Sequence, residues 1–278
     1  MKRILVAEDD RTTRLLLAGA LKRAGFSVET ALDGAVALRQ LRKKKFDLLL
    51  TDIWMPRMTG IELLARLRKE KSPPRVVVMT SDDTSETLLR AVREQAYHYV
   101  TKPVEPAALI ELIRDALAAH PTAQPIEVLS ARPDWVELLV PCEPGAAERV
   151  HSFLIRLKTD LPDETRELVA QAFRELLNNA IEWGGRMDPN QKVRISYLRA
   201  KRMLLYRIAD PGTGFRFDGL KHAALQNPPD QPWGHMNERD AKGLRPGGFG
   251  ILMVKAMVDE LLYNEAQNEV VFVKYLDK

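Results

Sequence analysis

The segment that decides the fold of the N-terminal half is Ile4-Leu5-Val6-Ala7-Glu8-Asp9-Asp10, an apolar run that ends in three acids. Further apolar runs lie at 26–31, 46–51, 75–80 and 97–101, and helical patterns lie near 12–24, 34–44, 59–70, 84–95 and 105–118. Continuous apolar strands that alternate with amphipathic helices are typical of a parallel sheet covered on both faces. Residues 1–120 are therefore predicted to form one doubly wound α/β domain with five parallel strands.

Polar side chains stand at the ends of these predicted strands. Glu8 and Asp9 follow the first strand, Asp52 follows the third, and Thr80 and Lys102 come at the ends of the fourth and fifth. A single strand-end acid is most often a turn residue, but the carboxyl ends of parallel strands meet at one sheet edge, where functional groups collect. Clustered carboxylates repel one another without a cation, and oxygen ligands suit Mg²⁺. A hydroxyl and an ammonium at that edge suit the oxygens of a phosphoryl group on Asp52.

Residues 1–120 resemble response-regulator receiver domains. The matching stretches are Ile4-Leu5-Val6-Ala7-Glu8-Asp9-Asp10, Asp52-Ile53-Trp54-Met55-Pro56, Met79-Thr80-Ser81 and Tyr99-Val100-Thr101-Lys102-Pro103. The resemblance implies that Asp52 is the phosphoacceptor, charged by an upstream sensor histidine kinase or by a small phosphodonor. It also implies that Lys102 contacts the phosphoryl oxygens, that a cis peptide bond precedes Pro103, and that Thr80 and Tyr99 rearrange on phosphorylation.

The same resemblance implies a magnesium site. Glu8, Asp9 and Asp52 would supply carboxylates to the ion, and Trp54 would supply its backbone carbonyl. Glu8 stands where aspartate is commoner in the family, and its carboxylate still reaches a metal or a bound water. Trp54 is a bulky residue beside the phosphoryl position, so we expect it to hinder the attack of water on the phosphoaspartate.

The composition changes beyond residue 120. Pro121, Pro125 and Pro133 fall within 13 residues, which predicts a linker over 121–134. The following pattern has a strand near 135–140, helices near 145–160 and 164–183, and paired strands at 192–199 and 202–209. A helix to about 260 and strands at 259–264 and 269–275 complete the chain. Strand pairs beside helices predict an α/β sandwich over 135–278 and not a second parallel sheet.

The helix near 164–183 carries a polar stripe. Its members, spaced i, i+3, i+4 and i+7, are Glu175, Asn178, Asn179 and Glu182. Taken alone, such a stripe is more typical of a solvent-exposed helix face. Adjacent asparagines are poor residues for a helix interior, however, and their amide oxygens suit Mg²⁺ with Glu175 nearby.

Glycines are concentrated in one region, since eight of the 15 lie between residues 211 and 250. There, Asp210-Pro211-Gly212-Thr213-Gly214-Phe215 follows a strand, so that Asp210 can accept from the exocyclic amine of a base that approaches the glycines. The same segment is equally compatible with an ordinary turn. Further on, Gly247-Gly248-Phe249-Gly250 opens a helix whose N-terminus suits phosphate. The spacing fits neither a P-loop nor the dinucleotide-binding motif.

In this order the three segments resemble those of GHKL (Bergerat-fold) ATPases, over roughly residues 135–278. The stretch Glu175-Leu176-Leu177-Asn178-Asn179-Ala180 is similar to their N box, 210–214 to the first glycine box and 248–251 to the second. The resemblance implies ATP and Mg²⁺ as cofactors, with the metal on Asn179, Glu175 as a base or water-orienting residue and Asp210 on adenine. The expected cofactor-binding set also contains Asn178, Gly212, Gly214, Gly248 and Gly250, the last two beside the phosphates.

Within these ATPases the chain is most similar to anti-sigma-factor serine kinases, through Asn179-Ala180-Ile181-Glu182-Trp183-Gly184. This implies an ATP-dependent serine/threonine kinase, controlled by phosphorylation of Asp52, that acts on a STAS-type anti-sigma antagonist in a partner-switching pathway. A sigma factor is a further expected partner, and both families often form homodimers.

The alternative is a non-catalytic ATP-gated clamp that sequesters a sigma factor or antagonist. Retention of Glu175 and Asn179 favours the kinase. Three departures from the family's pattern leave the non-catalytic clamp as an alternative: Trp183 replaces the usual histidine, the lid over 215–246 is long, and Pro246-Gly247 begins the second box.

Composition and length argue against several other classes of protein. The net charge is +4, but residues 121–278 carry 21 Lys and Arg against 22 Asp and Glu, so direct nucleic-acid binding is not expected. No apolar run approaches the roughly 18–20 residues that span a bilayer. The single cysteine, Cys142, suits a reducing cytoplasm. A histidine kinase needs a dimerising helical hairpin before its nucleotide fold, and the linker is too short for one.

Overall fold

The computed structural model divides the chain into two compact units, Met1–Glu127 and Val128–Lys278. It describes residues 1–70, 72–81, 85–94, 96–118, 124, 126–132, 134–156, 161–216, 231, 233–234, 236–237 and 248–276. Within these residues, every helix is too short or too polar to cross a membrane.

The first unit alternates strands with helices. Its elements are β1 (Arg3–Ala7), α1 (Arg11–Arg23), β2 (Ser27–Ala31), α2 (Gly34–Lys43), β3 (Leu48–Asp52), α3 (Gly60–Leu67), β4 (Arg75–Thr80), α4 (Ser85–Arg93), β5 (His98–Thr101) and α5 (Pro106–Ala118). The strands pair in the order β2-β1-β3-β4-β5, and every pair is parallel. The prediction of a doubly wound five-stranded sheet is confirmed. Strand order reverses between β1 and β3, so the carboxyl ends of these two strands flank the crevice where such folds place their sites.

Side-chain caps begin the helices that border this crevice. Asp10 accepts a hydrogen bond from the backbone N–H of Thr13 at the start of α1. Thr59 and Glu62 exchange hydrogen bonds in a capping box that begins α3. Because each cap satisfies an otherwise unpaired N–H group, the first turns are fixed close to the carboxyl ends of β1 and β3.

The second unit is an α/β sandwich that combines helices with one six-stranded sheet. Its elements are β6 (Glu127–Arg132), β7 (Trp135–Pro141), α6 (Ala146–Arg156), α7 (Asp163–Asn179), a π turn (Ala180–Gly184), β8 (Lys192–Ala200), β9 (Met203–Ala209), α8 (Gly250–Met257), β10 (Glu260–Tyr263) and β11 (Glu269–Tyr275). The sheet order is β10-β11-β9-β8-β7-β6. Pairs β7–β8, β8–β9, β9–β11 and β10–β11 are antiparallel, as the sandwich prediction requires.

A buried aromatic cluster holds α7 on this sheet. Phe173 of α7 packs against Tyr206 of β9, with ring centroids 5.3 Å apart, and Tyr206 stacks on Phe272 of β11 at 4.7 Å. Tyr197 of β8 completes the cluster, 5.0 Å from Tyr206. Since aromatic burial is a large part of core stability, these contacts fix the rotation of α7 and therefore which of its side chains turn away from the core.

Two local predictions in this half need correction. The linker predicted over 121–134 contains strand β6, because a segment between prolines can still pair along one side at the edge of a sheet. The helix predicted over 164–183 is α-helical only to Asn179. It then widens into the π turn, where Gly185 N–H donates to the carbonyl of Ala180 at 2.8 Å, five residues back.

Candidate functional site

An acidic pocket lies at the carboxyl ends of β1 and β3. Glu8 and Asp52 are buried, Asp9 is exposed, and one carboxylate oxygen of each lies within 4.8 Å of the others. The Lys102 ammonium lies 2.6 Å from Glu8 Oε2 and also bonds Asp52 Oδ2. The fold thus brings together three predicted metal ligands and the predicted phosphoryl contact. Three clustered carboxylates are a donor set that suits Mg²⁺.

The electrostatics of this pocket follow from burial. Burial raises the pKa of the Glu8 carboxyl, and the nearby charge of Asp52 adds to the rise, although Lys102 opposes it. Burial alone would lower the pKa of Lys102, but its hydrogen bonds to Asp52 and Glu8 outweigh that effect and raise it. One ammonium therefore faces two buried carboxylates, which leaves a negative site that a divalent cation would neutralise.

The other predicted receiver residues lie on the neighbouring strands. Thr80 is the buried last residue of β4, and Tyr99 is buried on β5. The backbone N–H of Lys102 donates to the Thr80 carbonyl at 2.8 Å, which ties the lysine to the end of β4. The Lys102–Pro103 peptide bond is cis, as the resemblance implied.

The loop after β3 lies directly against the acidic pocket. Trp54 donates its backbone N–H to Asp52 Oδ1 at 3.3 Å, and its side chain is 51% exposed. Gly60 begins α3 so close to this strand end that a Cβ would overlap the Asp52 carbonyl. The buried Asp33 bonds Arg57, which has a positive φ of 65°. Sequence analysis singled out Trp54 but missed the other three, because their contacts join separate loops.

A cavity of about 730 Å³ lies in the second unit. Its walls come from α7 with the π turn, from the segment after β9, from the start of α8 and from the β10–β11 hairpin. The predicted residues among its lining are Glu175, Asn179, Asp210, Gly212, Gly214, Gly248 and Gly250. Three segments separated by tens of residues therefore meet around one space of a volume that suits a small-molecule ligand.

One end of the cavity is formed by α7 and the start of α8. A Cβ added to Gly250 would lie 2.9 Å from Glu175 Oε2 and 3.8 Å from Asn179 Nδ2. The glycine therefore allows the first turn of α8 to approach both polar side chains. Gly248 has a positive φ of 100°, which favours glycine there. Asn178, which was expected in the same set, is half-buried and is not among the residues that line the cavity.

Asp210 lies at the end of β9 in the cavity wall. Burial raises the pKa of its carboxyl, and the hydrogen bond from Gly212 N–H to Oδ1, 2.8 Å long, opposes the rise. Gly184 of the π turn lies against this carboxyl, and a Cβ there would overlap Asp210 Cγ and Oδ1. Sequence analysis did not select Gly184 as a site residue, because nothing near it in the chain indicates that contact.

Aromatic rings border the cavity. Trp233 and Phe249 meet edge to face with centroids 5.5 Å apart, and Phe215 meets Tyr263 at 5.7 Å. The half-exposed Trp183 also lines the cavity. The predicted lid over 215–246 is described only at 215–216, 231, 233–234 and 236–237, so the rest of that prediction, with Pro246 and Gly247, lies outside the described residues.

The chain matches two known families, one in each half. Residues 4–114 match the response regulator receiver domain, and residues 140–274 match the histidine kinase-like ATPase domain. Over 204 residues the chain is 30% identical to the DNA-binding response regulator MtrA of Mycobacterium leprae, a match that spans 72% of this chain and 88% of MtrA. The chain belongs to the response regulator family.

Other relatives match less of their length. The response regulator is 32% identical over 182 residues to the DNA-binding transcriptional regulator NtrC of Azospirillum brasilense, which covers 62% of this chain. It spans only 37% of the length of that NtrC. Among solved structures, the chemotaxis response regulator CheY4 of Vibrio cholerae has a TM-score of 0.40 and 28% identity, and the match covers 42% of this chain and 98% of CheY4.

As a response regulator with a receiver domain over residues 4–114, the protein is of the two-component type. The acidic pocket lies in the receiver domain, and the cavity lies in the ATPase-type domain. Each family match therefore contains one of the two sites.

Proposed function

We propose that phosphorylation of Asp52 controls an ATP-dependent serine/threonine kinase output of the anti-sigma-factor kinase type. The observation that carries this proposal is the cavity that collects Glu175, Asn179 and Asp210 with glycines from two distant segments. The expected substrate is a serine or threonine hydroxyl on a STAS-type antagonist, and a sigma factor is a further expected partner.

In the receiver domain, the Asp52 carboxylate attacks the phosphorus of a phosphohistidine, the P–N bond breaks, and the imidazole leaves. Lys102 already bonds the Asp52 carboxylate, so its ammonium is placed to stabilise charge on the phosphoryl oxygens. Glu8, Asp9, Asp52 and the Trp54 carbonyl would hold Mg²⁺, which supplies charge neutralisation when bound. Thr80 and Tyr99 are the residues proposed to rearrange on phosphorylation.

In the ATPase-type domain, Asp210 accepts from the exocyclic amine of adenine. The triphosphate lies along Gly248 and Gly250, where the N–H groups at the start of α8 favour anions. Asn179 would hold Mg²⁺ beside the phosphates. Glu175 accepts the proton of the partner's hydroxyl as that oxygen attacks the γ-phosphorus and ADP leaves. The closeness of Glu175 Oε2 to Gly250 supports placing both at the phosphate end.

A non-catalytic ATP-gated clamp is the second candidate. The observation that favours it is Trp183, which lines the cavity and is 50% exposed at the position where the family usually has histidine. In that case the cavity would bind ATP to organise a surface for a sigma factor or antagonist, without phosphoryl transfer.

Replacing Glu175 with alanine separates the two candidates. If the protein is a kinase, phosphorylation of a STAS-type partner falls at least about 100-fold, because the general base is lost. ATP still binds, since Asp210 and the glycine segments are intact. The measurements are radiolabel transfer to the partner and titration calorimetry with ATP. Glu167→Ala, on an exposed face of the same helix, is the matched control. Wild-type protein that binds ATP but transfers no phosphoryl group would support the clamp.

Titration calorimetry with ATP and Mg²⁺, with and without beryllofluoride as the phosphoryl mimic on Asp52, tests the regulation. A large change in ATP affinity would indicate that the receiver domain controls the nucleotide site by shifting an existing equilibrium. A shift from 1:99 to 99:1 needs about 5.5 kcal/mol of differential stabilisation. Equally tight ATP binding in both states would indicate that phosphorylation controls partner docking and not the nucleotide site. No binding in either state would overturn the proposed function.

Replacing Trp54 with alanine is expected to speed the loss of phosphate from Asp52 several-fold. The indole lies two residues from the phosphoacceptor, and its removal opens a path for water to the phosphoaspartate. The measurement is the decay of phosphorylated protein after the phosphodonor is removed. Trp54→Phe keeps most of the bulk and serves as the control. An alanine variant that loses phosphate no faster than wild type would contradict the expected role of the indole.

A further inference from the structure

The turn between β10 and β11 packs against the first glycine box, residues 210–214. We propose that Asn268, in this turn, is a positioning residue that holds Asp210 for selection of adenine over other bases. The proposal rests on the proposed function, because it concerns the residue expected to contact adenine. Sequence analysis gave Asn268 no role.

Asn268 contacts the box with both its side chain and its backbone. Its Nδ2 donates to the Gly212 carbonyl at 2.9 Å, and its own carbonyl accepts the Asp210 N–H at 2.9 Å. The Asp210 carboxylate in turn accepts the Gly212 N–H at 2.8 Å. One residue of the turn therefore holds both ends of the short segment that orients the carboxylate.

The orientation of the Asn268 amide is itself fixed. Asn264 Nδ2 donates to Asn268 Oδ1 at 2.8 Å, so the Nδ2 of Asn268 is the atom directed to Gly212. Asn264 Oδ1 also accepts the N–H groups of Asn268 and Glu269, each at 3.1 Å. Glu269 is anchored to β9 through two hydrogen bonds from Arg207, each 2.6 Å long. The turn is therefore fixed by its own hydrogen bonds and by the Arg207–Glu269 pair, and it can hold the first glycine box in place.

Backbone contact couples the turn to the box. Gly214 has a positive φ of 83°, and a Cβ at this residue would overlap the carbonyl of Ala266. No side chain separates the two segments there. Asn268 and its neighbours Gln267 and Glu269 also line the cavity of about 730 Å³. A displaced turn therefore moves Asp210 within the binding site itself, which is why the effect should appear in base selection.

Measuring ATP and ITP affinity for Asn268→Asp tests the proposal. The substitution replaces an N–H donor with an oxygen that repels the Gly212 carbonyl, at nearly unchanged size. We expect ATP affinity to fall about tenfold, since the contact between Asp210 and the adenine amine is disturbed. ITP has an oxygen in place of that amine, so its affinity should change little and the ATP-to-ITP ratio should fall. Asn190→Asp makes the same charge change in an exposed turn and should leave the ratio unaltered.

The outcomes separate this inference from the proposed function. Wild-type protein that fails to prefer ATP over ITP would overturn the adenine site itself. If Asn268→Asp keeps the wild-type preference for ATP over ITP, or loses affinity for both nucleotides equally, the positioning role alone is overturned. If Asn268→Asp does not fold, as judged by circular dichroism, Asn268→Ala is measured in the same way, since it removes the donor without adding a charge.

Discussion

Replacing Asp52 with asparagine is expected to reduce phosphoryl incorporation from a small phosphodonor to background. The amide keeps the shape of the side chain but lacks the nucleophilic carboxylate oxygen, so the covalent step cannot begin. Asp52 is buried at the end of β3 and bonded to Lys102, a setting that places both the nucleophile and a charge-stabilising group at one point. Incorporation is measured by intact-protein mass spectrometry after incubation with acetyl phosphate and Mg²⁺.

Asp47→Asn is the matched control for this experiment. Asp47 lies before β3, at the opposite end of the strand, and accepts hydrogen bonds from Lys2 and from the backbone N–H of Arg3. Its replacement is expected to leave incorporation at the wild-type level. Wild-type incorporation in Asp52→Asn would show that the phosphoryl group resides on another residue, and the proposed role of the acidic pocket would then be wrong.

Replacing Gly184 with alanine is expected to weaken ATP binding by roughly 10–100-fold, the effect of losing a hydrogen bond to a charged group. A Cβ at residue 184 would overlap Asp210 Cγ and Oδ1, so the alanine displaces the carboxylate from its place in the cavity wall. The hydrogen bond from Gly212 to Asp210 would be disturbed at the same time. Titration calorimetry gives the affinity, and thermal melting monitors the fold.

Gly19→Ala is the control for a glycine without such a contact. Its Cβ would meet only Arg23 Nη1, at 3.5 Å, so ATP binding is expected to be unchanged. Phosphorylation of Asp52 in Gly184→Ala is a second control, because the acidic pocket lies in the other unit. Unaltered ATP affinity in a folded Gly184→Ala protein would mean that Asp210 does not contribute to nucleotide binding.

The π turn gives the cavity a feature that an uninterrupted α-helix would not supply. The wider hydrogen-bonding pattern after Asn179 brings Gly184 against Asp210 and leaves Trp183 and Arg186 on the cavity wall. Insertions of this kind change the direction of the residues that follow, and they are frequent at functional sites. The polar residues of α7 and the end of β9 are thereby joined in one site.

The local sequence pattern was sufficient to predict that the residues of the acidic pocket lie together. Glu8 and Lys102 directly follow β1 and β5, and Asp52 is the last residue of β3. Parallel strands place their carboxyl ends together whatever the details of packing. The periodicity of the second half likewise predicts the antiparallel pairs and α7. It correctly indicates that Glu175 and Asn179 share a face, because i and i+4 are neighbours on any helix.

Close contacts between distant segments were decided only by the tertiary structure. Strand β6 depends on pairing beside β7, which the surrounding prolines conceal in the sequence. The approach of Gly184 to Asp210 and the hydrogen bond from Asn268 to Gly212 join residues 26 and 56 positions apart. Propensity and periodicity indicate which secondary structure a segment prefers and which of its faces is apolar. The distance between two segments is set by how the core packs beneath both, so the sequence determined which groups are present and the folded chain determined which of them meet.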